Sequence, residues 1–493
     1  MARIVLSHLP PLPCLLVSLL ARQQNYITMN TLNTNQEILH DAYKAWCLGS
    51  QLRSRRLRNK RFTYGDQWGD TFTTAGGATR SEYELFLEGG TRPITNNLIR
   101  QMVKTIVGRY RSEYINNQHD DDKNVESVHR LNQLDELDSR ALEEFLISGT
   151  AVQRIDIMCD LWQQQVAVSN VNINDFFVNQ FNDPLGRDCE MVGQLHDMTM
   201  AQLLKRVAGG SRSKAGWVRR LYSNDCRGRT LDFAHAIGAD SHQGASFWTP
   251  NDAGKCRVIE VWTRESREVT LCHDKATAQV WLLPPSAKVK NTENLTTRWD
   301  IATVWHCRWF SPMGDLLAEW DSPWAHGSHP FVMKFYPLTD GEVHSFVEDI
   351  IDQQKSVNQI ITLINNIMMA SAKGVLVFPE TALPDGFTWE DVRNVWRNCN
   401  GILPYNPNYG DNKPEQISVN NTNIGAYEMV KLQMQLLEEI SGVTGALQGK
   451  TTVVGNSATL YQNETANAVI ALSDIFGTFS NWRQNRDNKI AGL

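Results

Sequence analysis

The sequence predicts an α+β fold in several parts, and three observations carry that prediction. Alternating apolar and polar residues recur in short runs over 150–172 and again over 256–337, as half-buried strands require. Residues 341–374 and 424–443 instead carry apolar side chains at helical spacing, over lengths beyond that of the average globular helix. Between those two helices GVLVFP, TWEDVRNVWRN and GILPYN read as strand, helix and strand, a compact α+β unit of its own.

A chain of 493 residues has the length for about two to four domains with real cores. Apolar residues at 42% and charged residues at 21% mark it as globular, neither disordered nor fibrous. A formal charge of −6 is not that of a general nucleic-acid binder, so any DNA contact has to be local. Nine scattered cysteines without a C-x-x-C fit reduced thiols in a cytosolic setting. LPPLPCLLVSLLA, at 9–21, superficially resembles a secretory h-region, but prolines interrupt it and it is too short to span a bilayer. Met29 opens a more ordinary start, so residues 1–28 are expected to be an over-called leader or a disordered extension, and 1–39 is set apart as the leader or extension before the first domain. No other segment has the length and apolarity of a membrane span, and no membrane partner is expected.

Residues 35–60 read as helix, with Ile38, Leu39, Ala42, Tyr43 and Trp46 on the apolar side. The helix runs into LRSRRLRNKR at 52–61, where a solvated helix end is the plain expectation and contact with phosphates or an acidic neighbour the alternative. After the loop YGDQWGD, residues 91–113 give a helix with Pro93 near its start and Ile99, Met102, Val103, Ile106 and Tyr110 on one face. A further helix is expected over 126–149, with Val128, Leu131, Leu134, Leu137, Leu142 and Phe145 in phase. TAVQRIDIM and QQVAVSNVN alternate as strands, and NDFFVNQFNDP closes that unit with turn residues. MTMAQLLKRVAG is a short helix ending on glycine, and 207–254 reads as a loop or insertion. The β-rich part over 256–337 holds Trp262, Trp281, Trp299, Trp305, Trp309, Trp320 and Trp324. A sugar-binding surface could use such aromatics, but packing within a sheet is the better reading.

The helix over 341–374 places Val343, Phe346, Val347, Ile350, Val357, Ile360, Ile361, Ile364, Ile367 and Met368 on one stripe. Its other side is acidic early, at Glu348, Asp349 and Asp352. Apart from Lys355 it then becomes neutral, through Ser356, Asn358, Gln359, Thr362, Asn365 and Asn366. That suits packing between like neighbours, with the polar side lining something wet. The helix over 424–443 is apolar on most sides and is expected to lie buried between neighbours. A third helix is expected over 463–487.

Chemical motifs are weak. In SGVTGALQGKTTVVGNSATLYQ, at 441–462, Gly449, Lys450 and Thr451 match the end of a phosphate-binding loop, but position 444 is Thr and a helix precedes it where a strand is required. His119 with Asp120, Asp121 and Asp122, and His326 with His329, lack metal-ligand spacing, so no metal and no cofactor are expected. There is no G-x-S-x-G and no Cys/His pairing beyond chance, so no catalytic residue is named.

The order long helix, small α+β unit, second helix, flexible loop, long helix resembles the portal proteins of tailed bacteriophages. It looks most like the larger portals of short-tailed and related phages. Local strings carry the resemblance further: YGDQW, then RPITNNLIRQMVKTIVGRYRSE, HPFVMKFYP leading into FVEDIIDQQKSVNQIITLINN, and EISGVTGALQG. The likeness covers roughly residues 40–490. Portals form a ring, usually a dodecamer, at one capsid vertex, and double-stranded DNA passes through the axial channel during packaging and ejection. The resemblance thus implies a non-enzymatic, self-assembling virion protein, put together in the host bacterial cytoplasm. The implied partners are the terminase large subunit, a head–tail adaptor, and the major capsid and scaffolding proteins.

By order, 40–340 would be the wing, 341–371 the first stem helix and 372–420 the clip. Residues 421–443 would be the second stem helix, 444–462 the tunnel loop and 463–493 the helix returning to the wing. The crown or barrel usual in such portals is expected to be absent. Gln448, Lys450, Thr451, Thr452, Asn456 and Ser457 would face DNA from the tunnel loop, and Asp352, Ser356, Gln359 and Asn366 would line the channel. A mostly neutral lining suits sliding DNA, because each neutralised phosphate adds affinity that impedes movement. Lys450 would be the loop's one phosphate-facing charge, with a plain solvated lysine as the alternative. Two other functions stay open: a P-loop-like NTPase, and another head–tail structural protein such as an adaptor, which is generally much shorter.

Overall fold

The computed structural model describes residues 30–73, 77–88, 91–112, 123–159, 164–222, 246–252, 254–275, 277, 279–283, 295–324, 327–373, 375–380, 383, 386–397, 404–405, 415–417, 424–445, 447–448 and 469–492. The chain divides into two compact units, one of residues 1–60, 103–348 and 449–493, the other of 61–102 and 349–448.

Two antiparallel sheets build the first unit. The larger runs in the order Leu316–Asp321, Leu295–Phe310, Cys256–Asp274, Met191–Met198, Phe176–Val178, and Val280–Leu283 joins it beside Cys256–Asp274. The smaller pairs Phe331–Phe335 with Thr150–Cys159, and that strand with Gln164–Asn170. Alternation drives both, since one face of each strand carries the branched and aromatic side chains of the core, among them Val258, Trp262, Trp309 and Phe331. Position 193 admits no side chain: a Cβ there would stand 2.2 Å from Phe177 and 2.3 Å from the carbonyl oxygen of Glu260. Glu260 is wholly buried and lies 2.5 Å from Arg154 of the smaller sheet, 2.5 Å from His196 and 2.6 Å from the Trp262 indole nitrogen. Burial pushes its carboxyl up, but Arg154 and His196 outweigh burial and hold it below the usual carboxylate range.

Helix Ser473–Ala491 belongs to the same unit and buries Phe476, Phe479, Trp482 and Ile490. Trp482 donates to the carbonyl of Val332 at 3.1 Å, and Arg483 and Arg486 converge on the buried carboxylate of Asp138 at 2.7 and 2.5 Å. The expected third helix starts at 463; residues 463–468 lie outside those described, and the described helix runs to Ala491.

Several expectations for this unit are corrected. Helix Asn30–Leu48 begins inside the stretch set apart as 1–39, because Leu39 joins Ala42, Tyr43 and Trp46 in a buried cluster. The basic run at 52–61 is no solvated helix end. Within helix Ser50–Tyr64, Arg53 and Arg56 are buried. Arg53 donates to the Trp46 carbonyl at 2.7 Å, Arg56 makes a two-point bond to Glu144, and Arg55 pairs with Glu348 at 3.6 Å. The helix expected over 126–149 is two, Lys123–Asn132 and Leu134–Ser148, broken where Gln133 takes a φ of 50°; Leu131 accordingly points out to solvent. Part of the supposed loop over 207–254 is helix Arg212–Leu221, and Phe247 and Trp248 are core residues. Trp262, Trp309 and Trp324 pack as expected, but Trp281 and Trp299 are exposed on the outer half of the long strand pair.

In the second unit the small sheet pairs Val375–Val377 with Glu415–Ile417. The strand expected over 401–406 falls mostly outside the described residues, and Pro404 and Tyr405 are not in a strand. Helix Trp389–Arg397 opens as expected, with Asp391 accepting from the Thr388 amide at 2.9 Å and Thr388 Oγ1 accepting from the Asp391 amide at 3.3 Å. Helix Leu98–Tyr110 starts later than 91 and buries Ile99, Met102, Val103, Ile106 and Tyr110.

Candidate functional site

The long helix Phe346–Lys373 organises the second unit. Its buried side is not purely apolar. Ile350, Ile351 and Val357 share it with Gln354, Asn358 and Thr362, all three of which are at most 1% exposed. These polar side chains stand one helical turn apart and read successive alternate residues of the extended segment before helix Leu98–Tyr110. Gln354 Oε1 accepts from the Leu98 amide at 2.9 Å, Asn358 Oδ1 from the Asn96 amide at 3.0 Å, and Thr362 Oγ1 from the Ile94 amide at 3.0 Å. Every fourth residue of the helix, a rise of about 6.0 Å, thus meets every second residue of the segment. Gln354 also donates to the Asn96 carbonyl at 2.6 Å.

The same ladder gathers the YGDQW loop. Asn358 donates to Gln67 Oε1 at 2.5 Å, and Gln67 donates to the Phe62 carbonyl at 2.9 Å and to Asn97 at 3.2 Å. Trp68 donates to Thr95 Oγ1 at 3.0 Å. Asn97 caps the following helix by accepting from the Arg100 amide at 3.1 Å. Sequence alone puts Asn358 and Thr362 on a wet face. Here they are the internal partners of the Asn96 and Ile94 backbone amides.

The four residues expected to line a channel do share one face. Asp352 and Gln359 are exposed, Ser356 and Asn366 half-buried, and Ser356 Oγ donates to the Asp352 carbonyl at 3.0 Å. Their spacing of four, three and seven residues keeps them within one stripe, which borders the ladder where Asn366 follows Thr362 by one turn. Leu363, also exposed, interrupts it. Lys355, at the stripe's margin, is taken up by Asp70 at 2.7 Å and Glu82 at 2.9 Å. The stripe thus has one acid and no cation of its own, a surface without affinity for phosphates.

Among the described side chains of helix Ile424–Ser441, only Leu437 and Ser441 turn fully inward. Tyr427 at 77%, Met429, Leu432, Met434 and Ile440 are exposed, so the expected burial does not arise within one chain. Gly442 then stops the helix at a φ of 65°, and Val443 and Leu447 bury while the Gln448 amide bonds the Thr444 carbonyl at 3.3 Å. Gln448 Oε1 accepts from Gln101 at 2.9 Å. Of the tunnel-loop residues, Lys450, Thr451, Thr452, Asn456 and Ser457 lie outside the described residues. What precedes Gly449 is helix and turn, which is not the strand a P-loop needs.

Among the described residues, no group of His, Cys, Asp and Glu could hold a metal ion, and no helix is long and apolar enough to cross a membrane. No curated protein matches the chain. The model of the phage P22-like portal protein family matches residues 135–490. That match spans well over half of the 493 residues and takes in both the sheets of the first unit and the long helix with its polar ladder, and the chain therefore belongs to the phage P22-like portal protein family.

Proposed function

We propose that this portal protein assembles with copies of itself, as a dodecamer in the usual portal manner, into a ring at one capsid vertex. Double-stranded DNA passes through its axial channel during packaging and ejection. The observation that carries the ring is helix Ile424–Ser441, whose Tyr427, Met429, Leu432, Met434 and Ile440 stand in solvent in a single chain. Apolar side chains gathered on one helix gain free energy from cover, roughly 25 cal/mol for each Å² removed from water. A neighbouring copy supplies that cover at every position of a closed ring.

In this reading the Asp352, Ser356, Gln359 and Asn366 stripe faces the channel, and its lack of cations lets DNA slide. Residues 40–340 form the wing and 341–371 and 421–443 the stem helices, with 372–420 as the clip that docks the terminase large subunit and the head–tail adaptor. Residues 463–493 return to the wing, where the capsid and scaffolding proteins bind. Residues 444–462 form the tunnel loop, in which Lys450 brushes DNA phosphates beside Gln448, Thr451, Thr452, Asn456 and Ser457. The protein acts as a structural conduit in the virion and catalyses no reaction.

Negative-stain imaging of the purified protein tests assembly: rings with a central hole are expected, and Leu432→Asp should abolish them. Lys450→Ala should leave rings intact and lower the DNA packaged per particle. Unchanged packaging removes the role of Lys450, and rings that survive Leu432→Asp remove the assigned interface.

A further inference from the structure

One surface of the first unit lies outside every role given above. Residues 199–222 contain Lys205, Arg206, Arg212, Lys214, Arg219 and Arg220 and no Asp or Glu, in a chain whose formal charge is −6. They form two helices, Met200–Val207 and Arg212–Leu221, packed against each other. A capping box between Thr199 and Gln202 starts the first, and Ser211 Oγ caps the second by accepting from the Lys214 amide at 3.3 Å. Leu203, Val207 and Val218 anchor the pair in the core, with Trp217 and Leu221 partly covered beside them. Lys205, Arg206, Arg212, Arg219 and Arg220 are exposed, and none of the six cations has a carboxylate within ion-pair distance among the described residues. Asp197, the acid just before the stretch, is spent on Arg257, at 2.6 and 3.0 Å. Arg206 is held with its guanidinium 5.9 Å from the Trp309 ring.

We propose that this helix pair is a docking surface for the phosphate backbone of double-stranded DNA, separate from the channel stripe and the tunnel loop. Charge complementarity selects the class of partner: uncompensated like charges on a fixed platform repel one another and are relieved by a polyanion. The choice of duplex over an acidic protein rests on what the surface lacks. No large apolar side chain of 199–222 is exposed. Protein interfaces are centred on such residues, whereas duplex interfaces are polar and positive. The inference goes beyond the portal reading and does not depend on ring formation.

The test is fluorescence anisotropy of a 30-base-pair duplex of arbitrary sequence with the purified full chain, repeated over a range of salt. Lys205→Gln, Arg206→Gln, Arg219→Gln and Arg220→Gln together should weaken binding about tenfold or more and flatten the log affinity against log salt slope by up to about 3.6, roughly 0.9 per lost phosphate contact. Arg219→Lys with Arg220→Lys should bind as the parent does, since charge rather than guanidinium shape is required. Equal affinity and slope in the quadruple variant overturns the proposal. So does binding of a polyglutamate peptide at low salt with no binding of the duplex, which would assign the surface to an acidic protein. Rings are scored separately on the same samples, so failure here leaves the portal reading standing, and failure to form rings leaves this inference standing.

Discussion

Replacing Asn358 with leucine tests the polar ladder directly, because the two side chains share the same branched shape while leucine, the larger, has no polar atom. Asn358 is 1% exposed. It accepts from the Asn96 amide at 3.0 Å and from Gln354 at 3.1 Å, and it donates to Gln67 at 2.5 Å. Leucine leaves three buried polar groups without that partner. Each costs about 1–3 kcal/mol when stranded, and partial repair by Gln354 brings the total to roughly 3–5 kcal/mol. That is a large share of a typical domain's 5–15 kcal/mol, so the second unit should open locally well before the first. Hydrogen exchange of the Ile94, Asn96 and Leu98 amides is the suitable assay, because a chain of two units has no single unfolding midpoint. Their exchange should accelerate by more than about a hundredfold, since each 1.4 kcal/mol is a factor of ten. Gln359→Leu, on the adjacent exposed position, should change the same amides by less than about 0.5 kcal/mol. Indistinguishable exchange in the Asn358 and parent proteins, or a larger effect from Gln359→Leu, would refute the ladder and return Asn358 to the wet side of the helix.

Two further predictions concern the first unit. Gly193→Ala forces a Cβ to 2.3 Å from a backbone carbonyl that cannot move aside. A loss of about 4 kcal/mol or more is expected, a fall on the order of 10 °C in the first unit's own melting transition, and a soluble variant in which that transition stays within 2 °C or so of the parent would contradict it. His306 lies 2.6 Å from Asp321 and near Glu319 and Glu265, with Arg308 and Arg267 completing the cluster. Burial lowers its pKa, but bonds to Asp321 and Glu319 outweigh that and raise it. A raised folded pKa gives stability that is complete below about 6.5, the unfolded value, and is lost as pH rises through the folded one. His306→Gln should flatten the fall in stability as pH rises above about 6.5, and an unaltered profile would show that the pair contributes nothing there.

The strands, the long helices and the apolar faces of Leu39 to Trp46 and Ile99 to Tyr110 are legible because periodicity follows directly from burial. What escapes a linear reading is pairing between distant residues. LRSRRLRNKR looks like a solvated helix end until Arg56 meets Glu144 and Arg55 meets Glu348, acids far along the chain. The break at Gln133 escapes because it needs a left-handed backbone that glycine or asparagine usually announces. Exposure along helix Ile424–Ser441 escapes for the opposite reason: hydrophobicity predicts cover but does not say which chain supplies it.

The ladder shows why a polar residue on an amphipathic helix is ambiguous in a physical sense. Water and an extended backbone offer the same acceptors and donors, and only a repeat of four in register with a repeat of two distinguishes them. Gln354, Asn358 and Thr362 have that repeat. Asp352, Ser356, Gln359 and Asn366 alternate instead in the three-and-four rhythm of an exposed seam. One helix therefore carries two polar series with separate jobs, one fixing backbone and one left to solvent. Charge is partitioned in the same way. Lys355 is consumed by Asp70 and Glu82, and Arg53 and Arg56 are consumed within the first unit. Among the described residues, Lys205, Arg206, Arg212, Arg219 and Arg220 instead have no acidic partner. On the proposed roles, a surface that DNA slides past and a surface that holds it must differ in unpaired charge, and the stripe on helix Phe346–Lys373 and the helix pair of residues 200–221 differ in that way.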